Sequence, residues 1–337
     1  MKKNILISTG GSGGHTIPAI TLYEHLKDNY EIFLTSDKRG SKFISNKDYN
    51  FKLIEIPRIS KNLFKIPRII FFLIISFFKS FFFIKKNDID ILISTGGYMS
   101  LPLCIASKLL NIQIYIFEPN SVLGRTNKLT VAFSKKIICY NKNLKGISKK
   151  FIDKIYLINP LLRKEIYKYK KNENKEIGDQ IKLLILGGSQ GAKFFDDFIS
   201  KIILKISKTQ NIKVLQQVIN KKSKEYLKNL YKKNNIEHEL FEFDENLFIK
   251  AVNFNLAITR CGASAISELS YLNIPFIAIP FPYAKDNHQY YNAQFYTNNN
   301  SCWLIEQKDV NEDNFINLLK NIFKNKDEYL LKKKNLI

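Results

Sequence analysis

The sequence is poor in cysteine, in acid and in familiar nucleotide signatures. Among its 337 residues are only four cysteines, Cys104, Cys139, Cys261 and Cys302, far apart and with no Cys-x-x-Cys pair. That argues against a disulfide framework or a zinc cluster and leaves reduced core thiols. Asp and Glu number 30 against 53 Lys and Arg, so the formal net charge is +23 and the pI about 9.6. Such an imbalance implies a polyanionic partner: nucleic acid, an anionic membrane or a phosphorylated substrate. The amino terminus MKKNILISTGG has too short an apolar run for a secretion signal, and the chain is expected to stay in the cytoplasm. No Gly-Lys-Ser/Thr follows a glycine loop, which excludes a Walker A site. The loop Gly10–His15 approaches Gly-x-Gly-x-x-Gly without matching it, and Asp37 is a poor candidate for an acidic ribose ligand, so a dinucleotide dehydrogenase is disfavoured.

What is present begins with ample apolar content: 45% hydrophobic residues fill two cores and exclude disorder as the main state. The positive charge is uneven. Residues 1–160 hold 25 basic and 10 acidic residues, net +15, and residues 161–337 hold 28 and 20, net +8. Within the first half, residues 69–84 are almost wholly apolar, interrupted by Ser76, Lys79 and Ser80, with Lys65 and Arg68 before and Lys85 and Lys86 after. Three readings compete. A membrane span needs ~20 apolar residues, and this run is shorter and carries Lys79 near its middle. A buried core helix is the plain alternative. A helix half-packed on its domain, with Phe71, Phe72, Ile75, Phe78 and Phe82 outward and Lys79, Lys85 and Lys86 at the rim, fits an interfacial contact with an anionic phospholipid surface.

Apolar strand signals alternate with helical ones. Strands are expected at 4–9, 31–35, 51–56, 89–94, 113–117 and 136–140, with helices running from Pro18 towards residue 29 and over 69–84, 101–110 and 125–134. Residues 163–180 are polar and charged and read as a linker. The alternation then restarts, with strands at 181–186, 213–218, 238–241, 255–258 and 275–279 and helices at 193–206 and 312–324. This is the pattern of two doubly wound α/β domains, 1–160 and 161–337, with parallel sheets covered on both faces. Ligands of such sheets bind beyond the carboxyl ends of the strands, so two facing domains are expected to hold the site in a central cleft.

Three strands end in glycine pairs, at Gly10-Gly11, Gly96-Gly97 and Gly187-Gly188. Glycine lets backbone approach a ligand, and a following helix offers free N–H groups suited to phosphate, although many such loops are only tight turns. In the second half, Arg260 to Leu269 reads as a loop entering a helix whose small first residues leave its start accessible. Glu268 could accept hydrogen bonds from a sugar diol or simply complement the helix dipole. The loop from Pro280 adds His288, Gln289 and Asn292.

Taken together, GGSGGHTIPA (10–19), GGYMS (96–100), EPNSVLGRTNK (118–128), INPLLR (158–163), GGSQGA (187–192), TRCGASAISE (259–268) and PFPYAKDNHQYYNA (280–293) resemble, in order and over nearly the whole chain, the MurG-type transferases of glycosyltransferase family 28. The resemblance implies the two-domain GT-B fold. It implies transfer of GlcNAc from UDP-GlcNAc to the C4 hydroxyl of MurNAc in lipid I, with inversion, to give lipid II for peptidoglycan. Domain 1–160 would bind the acceptor and the membrane, and domain 161–337 the donor. By motif, Ser189 with backbone help from Gly188 would meet the diphosphate. Ala263, Ser264, Ala265, Ile266 and Ser267 would line the nucleotide, Glu268 the ribose, Gln289 the GlcNAc hydroxyls, and the backbone of Asp244 the uracil. Ser12, Gly13, Gly14 and Asn120 would approach from the acceptor side, with Arg163 completing the set. The expected partners are UDP-GlcNAc, lipid I and an anionic membrane, and the expected location is the cytoplasmic face of the bacterial inner membrane, held peripherally.

The chemistry of the residues agrees. His15 sits at the mouth of a glycine loop, where a helix start disfavours an added positive charge, and a neutral imidazole is what a general base needs; the plainer role is capping a turn. Backbone N–H groups and a helix dipole can stabilise the departing UDP, and no Asp-x-Asp motif is found to hold a metal between the phosphates (Asp88-Ile89-Asp90 opens a strand instead of following one), so neither metal nor cofactor is expected. Three departures stand out. The family's Glu-Gln-Asn is Glu118-Pro119-Asn120, its Asn-Pro-Val-Arg gains a residue as Asn159-Pro160-Leu161-Leu162-Arg163, and its Gln-Gln pair is His288-Gln289. Two other readings remain. One is a GT-B transferase for another lipid or an antibiotic aglycone. The other is a nucleic-acid-binding protein, which would show basic residues interleaved with exposed aromatics or a known module; neither is found.

Overall fold

The computed structural model describes residues 2–11, 13–44, 49–54, 66–169, 177–188, 193–244 and 247–336. The chain divides into two units, Met1–Lys164 and Glu165–Ile337. In the first, seven parallel strands, β1 (Asn4–Ser8), β2 (Glu31–Ser36), β3 (Phe51–Leu53), β4 (Ile91–Ser94), β5 (Gln113–Glu118), β6 (Lys136–Cys139) and β7 (Ile155–Leu157), lie in the order β3-β2-β1-β4-β5-β6-β7. Helices α1 (Gly13–Leu26), α2 (Lys38–Ser41), α3 (Ile66–Lys86), α4 (Ser100–Leu109) and α5 (Arg125–Thr130) connect them. In the second unit β8 (Gln180–Leu186), β9 (Asn211–Gln217), β10 (Glu237–Phe241), β11 (Leu256–Thr259), β12 (Phe276–Ala278) and β13 (Trp303–Leu304) form a parallel sheet ordered β10-β9-β8-β11-β12-β13.

The apolar runs of the strands follow from burial on both faces. In β1, Leu6 joins Leu92, Leu103, Ile114 and Ile84 on one side, while Ile5 and Ile7 join Ala19, Leu22, Ile93 and Phe117 on the other. Each such fully buried Leu or Ile contributes roughly 1.5–3 kcal/mol. Ile5 pairs with Ile32 on one side and Ile91 on the other, so β1 is the centre of the sheet. The four cysteines are buried as thiols, and burial pushes those of Cys139 and Cys302 up to about 11.

Helix α3 resolves the competing readings of residues 69–84. Among the described residues no helix is long and apolar enough to cross a membrane. Nor is α3 a buried core helix. Ile69, Ser76, Ser80 and Ile84 face inward, whereas Ile70, Phe71, Ile74, Phe78 and Phe82 are 50% to 64% exposed. Ile70, Ile74, Phe78 and Phe82 recur every fourth residue and so form one ridge. Lys79, Lys85 and Lys86 are exposed beside it. Phe72 and Ile75, expected outward, are only half-exposed, and Ile70 and Ile74 take their places. The serines that break the apolar run sit on the inner face, where Ser80 Oγ donates to the Ser76 carbonyl at 2.7 Å.

Several expectations are corrected. Pro18 lies inside α1 rather than in its first turn, because the helix begins at Gly13; the hydrogen bond that Gly14 O would accept is forgone. Helix α5 stops at Thr130, short of residue 134. Strands β7 and β13 were not expected: each is two or three residues long and carries too little periodicity to read. The expected strand at 51–56 ends at Leu53, and its last two residues lie outside the described ones. Part of the expected linker is packed: Lys164–Lys168 is a 3-10 turn with Ile166 buried and Tyr167 edge-on to Tyr271, centroids 5.2 Å apart.

Candidate active site

Strand order reverses between β1 and β4 in the first sheet and between β8 and β11 in the second. A reversal of this kind leaves a crevice beyond the carboxyl ends of the two strands. The glycine loops follow those very strands.

In the first unit the loop after β1 meets the loop after β4. His15, third residue of α1, places Nδ1 2.9 Å from the Thr95 carbonyl oxygen, and Thr95 Oγ1 donates to the His15 carbonyl at 3.1 Å. A carbonyl only accepts, so Nδ1 carries the proton and Nε2 of the neutral ring is the acceptor. The approach is possible only because residue 96 is glycine. Its φ is +98°, and a Cβ there would lie 2.9 Å from His15 Nδ1. At Gly97, with φ +85°, a Cβ would come within 2.6 Å of Gly10 O.

Asp37 is an anchor, not a ribose ligand. Its carboxylate accepts from Gly11 N and Gly40 N, each at 2.9 Å, and from Arg39 Nη2 at 3.1 Å; Arg39 in turn donates to the Tyr98 hydroxyl. Burial pushes this acid upward, but the Gly11 and Gly40 amides and Arg39 outweigh it and hold the pKa below the usual carboxylate range. Three loops are thereby tied together. Asp37 is also the N-cap of Lys38–Ser41, a role that an Asp directly ahead of a short helix signals in sequence.

Glu118 is buried and likewise structural. It accepts from Asn120 Nδ2 at 3.0 Å, Gly124 N at 2.8 Å and Asn127 Nδ2 at 3.0 Å. The Asn120 side chain is therefore turned back onto Glu118. Ser12 lies outside the described residues, while Gly13 and Gly14 open α1. Arg163 is half-exposed and follows a pinned segment: the Leu161 carbonyl accepts from Tyr140 OH at 3.3 Å, and the Leu162 carbonyl meets His25 Nε2 at 2.8 Å. The Leu162 side chain is buried.

In the second unit the loop after β11 opens the helix Ala263–Tyr271. Its N-cap, Gly262, makes no side-chain cap, and a Cβ there would meet nothing within 4 Å. The half-exposed start at Ala263, Ser264 and Ala265 thus faces open space with its N–H groups and positive dipole end. Ile266, Ser267 and Glu268 are buried, and Ser267 Oγ lies 3.3 Å from Tyr296 OH. Arg260 braces this loop from beneath. Its Nη1 donates to the Ile279 and Pro280 carbonyls, both at 3.1 Å, and its Nη2 to Gln307 Oε1 at 2.6 Å. The guanidinium lies 4.8 to 5.5 Å from the ring centroids of Phe194, Phe195 and Phe281, and burial lowers its pKa to about 10, still charged at neutral pH. Gln289 Oε1 accepts from Cys261 N at 3.0 Å and Phe281 N at 2.9 Å, which fixes the orientation of its amide. His288 Nδ1 meets the Lys285 carbonyl at 2.8 Å.

Ser189 lies outside the described residues. Gly188 turns with φ +65°, and its N–H is held by Gln217 Oε1 at 2.9 Å. Asp244 is paired through Oδ2 with Lys250 at 2.8 Å, and the neighbouring Phe243 is 71% exposed. Among the described residues no group of three His, Cys, Asp or Glu side chains is placed to hold a metal ion.

The chain is 49% identical over 336 residues, covering all of it and 94% of its relative, to the UDP-N-acetylglucosamine–N-acetylmuramyl-(pentapeptide) pyrophosphoryl-undecaprenol N-acetylglucosamine transferase of Pelagibacter ubique. It is 34% identical, over 99% of its length and 96% of the other, to the transferase of the same name from Rickettsia canadensis. Among solved structures it resembles Acinetobacter baumannii MurG, with TM-score 0.80 and 21% identity over 99% of this chain and 94% of that one. It also resembles S. aureus MnaA solved with UDP, with TM-score 0.69 and 13% identity over 99% and 91%. Both are likenesses of fold, here the GT-B architecture of two parallel-sheet α/β domains. The glycosyltransferase family 28 N-terminal domain matches residues 5–139 and the C-terminal domain residues 182–336. With both halves matched and curated relatives aligned end to end, the chain belongs to glycosyltransferase family 28.

Proposed function

We propose that the chain is the inverting transferase that moves GlcNAc from UDP-GlcNAc to the C4 hydroxyl of MurNAc in lipid I, forming lipid II. The observation that carries this reading is the 49% identity along the entire chain to a transferase of that name. The first unit takes the acceptor and the second the donor. His15 Nε2 accepts the proton of the C4 hydroxyl as its oxygen attacks the anomeric carbon, while the bond to the diphosphate breaks on the opposite face and its electron pair leaves with UDP. The uncapped start of Ala263–Tyr271 stabilises the charge developing on that leaving group. Ser12, Gly13, Gly14, Asn120, Arg163, Gly188, Ser189, Asp244, Ala263–Ser267, Glu268 and Gln289 make up the rest of the site in this reading. UDP release from UDP-GlcNAc that appears only when a lipid I analogue is added is the expected result. Release with diacylglycerol or an aglycone, and none with the lipid I analogue, would replace this reading with another transferase.

The first unit also docks on the anionic face of the inner membrane from the cytoplasm. Support comes from the exposed ridge of Ile70, Ile74, Phe78 and Phe82, continued on α4 by exposed Ile105 and Leu109, with Lys79, Lys85, Lys86 and Lys108 exposed around them. Each basic residue near an anionic surface is worth ~1 kcal/mol. Replacing Phe78 and Phe82 by Ser is expected to weaken binding to phosphatidylglycerol vesicles about a hundredfold, taking roughly 1.5 kcal/mol per phenyl ring. Binding should also fall as salt rises. Vesicle flotation that ignores both changes would remove this surface from the proposal.

A further inference from the structure

Gln217 is the last residue of β9, the strand between β8 and β10. Its amide reaches to both sides. Oε1 accepts from Gly188 N at 2.9 Å, in the loop after β8, and Nε2 donates to the Glu242 carbonyl at 3.2 Å, in the segment after β10. These are the two segments that, on the donor reading above, carry the diphosphate and the uracil. One planar amide therefore spans them, along the carboxyl edge of the sheet.

The strand beneath it is immobilised. Its neighbour Gln216, on the opposite face of β9, is fully buried; it accepts from Tyr231 OH at 2.7 Å and donates to Asp196 Oδ1 at 3.3 Å. Asp196 Oδ2 in turn accepts from Ile219 N at 3.1 Å, closing the turn that follows the strand. Gln217 thus projects from a fixed point, and its two bonds set the distance between two loops that no backbone ladder joins. A nucleoside diphosphate bridges those same loops from the ligand side, so a preset span spares it the ordering of one loop against the other.

We infer that Gln217 is a positioning residue that fixes the separation of the diphosphate and base subsites and so selects a nucleoside diphosphate over its fragments. This inference rests on the donor reading of the second unit. It predicts a particular pattern for Gln217→Met, which keeps the shape and loses both hydrogen bonds. The KM for UDP-GlcNAc and the Kd for UDP rise about tenfold, the equivalent of roughly 1.4 kcal/mol for the coupled pair of bonds. The kcat stays within about twofold, whereas a purely structural role would lower the thermal midpoint and leave KM and Kd unchanged. Uridine and inorganic pyrophosphate, each meeting one loop alone, bind the variant as they bind the parent. An unchanged UDP affinity overturns the inference, as does an equal loss for uridine, or a fall in kcat and midpoint at constant KM. If the unaltered chain binds no UDP at all, the donor reading itself fails; if it binds and Gln217→Met matches it, only the role of Gln217 falls.

Discussion

His15→Ala is expected to lower kcat about a thousandfold while the KM for UDP-GlcNAc moves less than about threefold, since general-base catalysis contributes ~10²–10⁴ and a base on the acceptor unit does not hold the donor. The geometry makes the expectation specific. The Thr95 carbonyl dictates that the ring proton sits on Nδ1, and the Thr95 hydroxyl holds the His15 backbone, so ring orientation and tautomer are set by one residue at the end of β4. Single-turnover rates with a lipid I analogue provide the check. Unchanged turnover would assign the base elsewhere. Glu118 would be a weak substitute, because its carboxylate already accepts from Asn120, Gly124 and Asn127.

The second large effect is expected at Arg260. Arg260→Leu leaves the carbonyls of Ile279 and Pro280 and the Gln307 amide oxygen without the donors they have, and removes the cation from between three phenyl rings. At about 1 kcal/mol for each abandoned acceptor, the second unit should lose roughly 3 kcal/mol, or about 10 °C in midpoint for a unit of this size. The side chain also fixes the loop that opens the helix Ala263–Tyr271, which on the proposed reading holds the donor. The KM for UDP-GlcNAc should therefore rise about tenfold in the molecules that remain folded, as a shift of roughly 1.4 kcal/mol in ground-state binding. Differential scanning calorimetry and steady-state kinetics at a temperature well below the new midpoint separate the two. A variant as stable as the parent would mean that leucine packing among Phe194, Phe195 and Phe281 compensates for the lost bonds.

The framework was legible because parallel sheets write themselves plainly: buried apolar strands, glycine at their carboxyl ends, a helix after each. The failures share a cause. Strands β7 and β13 exist because neighbours recruit them, as Ile137 does Ile155 and Ile277 does Trp303, and three residues carry no period of their own. Pro18 inside α1 reflects a helix started about one turn earlier, at Gly13, than propensity suggests. In α3 the apolar run was visible, but with nearly every position apolar the sequence could not say which ridge is outward; the packing of Ser76 and Ser80 decides it. At the site, motif spacing located the loops, whereas the groups that position them had no motif to announce them. Asp37, Thr95, Gln217 and Arg260 act through backbone amides and carbonyls of distant segments, and only the tertiary structure pairs those.

The central strand also dictates the order of events during synthesis. β1 is complete once residue 8 has emerged, yet its second neighbour, β4, begins at Ile91. At roughly 5–20 residues per second the ribosome takes on the order of 4–17 s to supply that strand. From the emergence of α3 at residue 86 until α4 is complete at residue 109, the inner face of α3 has no α4 to cover it, so both of its faces are apolar and bare, beside a half-built sheet with open strand edges. Truncations ending between residues 86 and 100 are therefore expected to aggregate where the finished chain does not, which light scattering of the two would show.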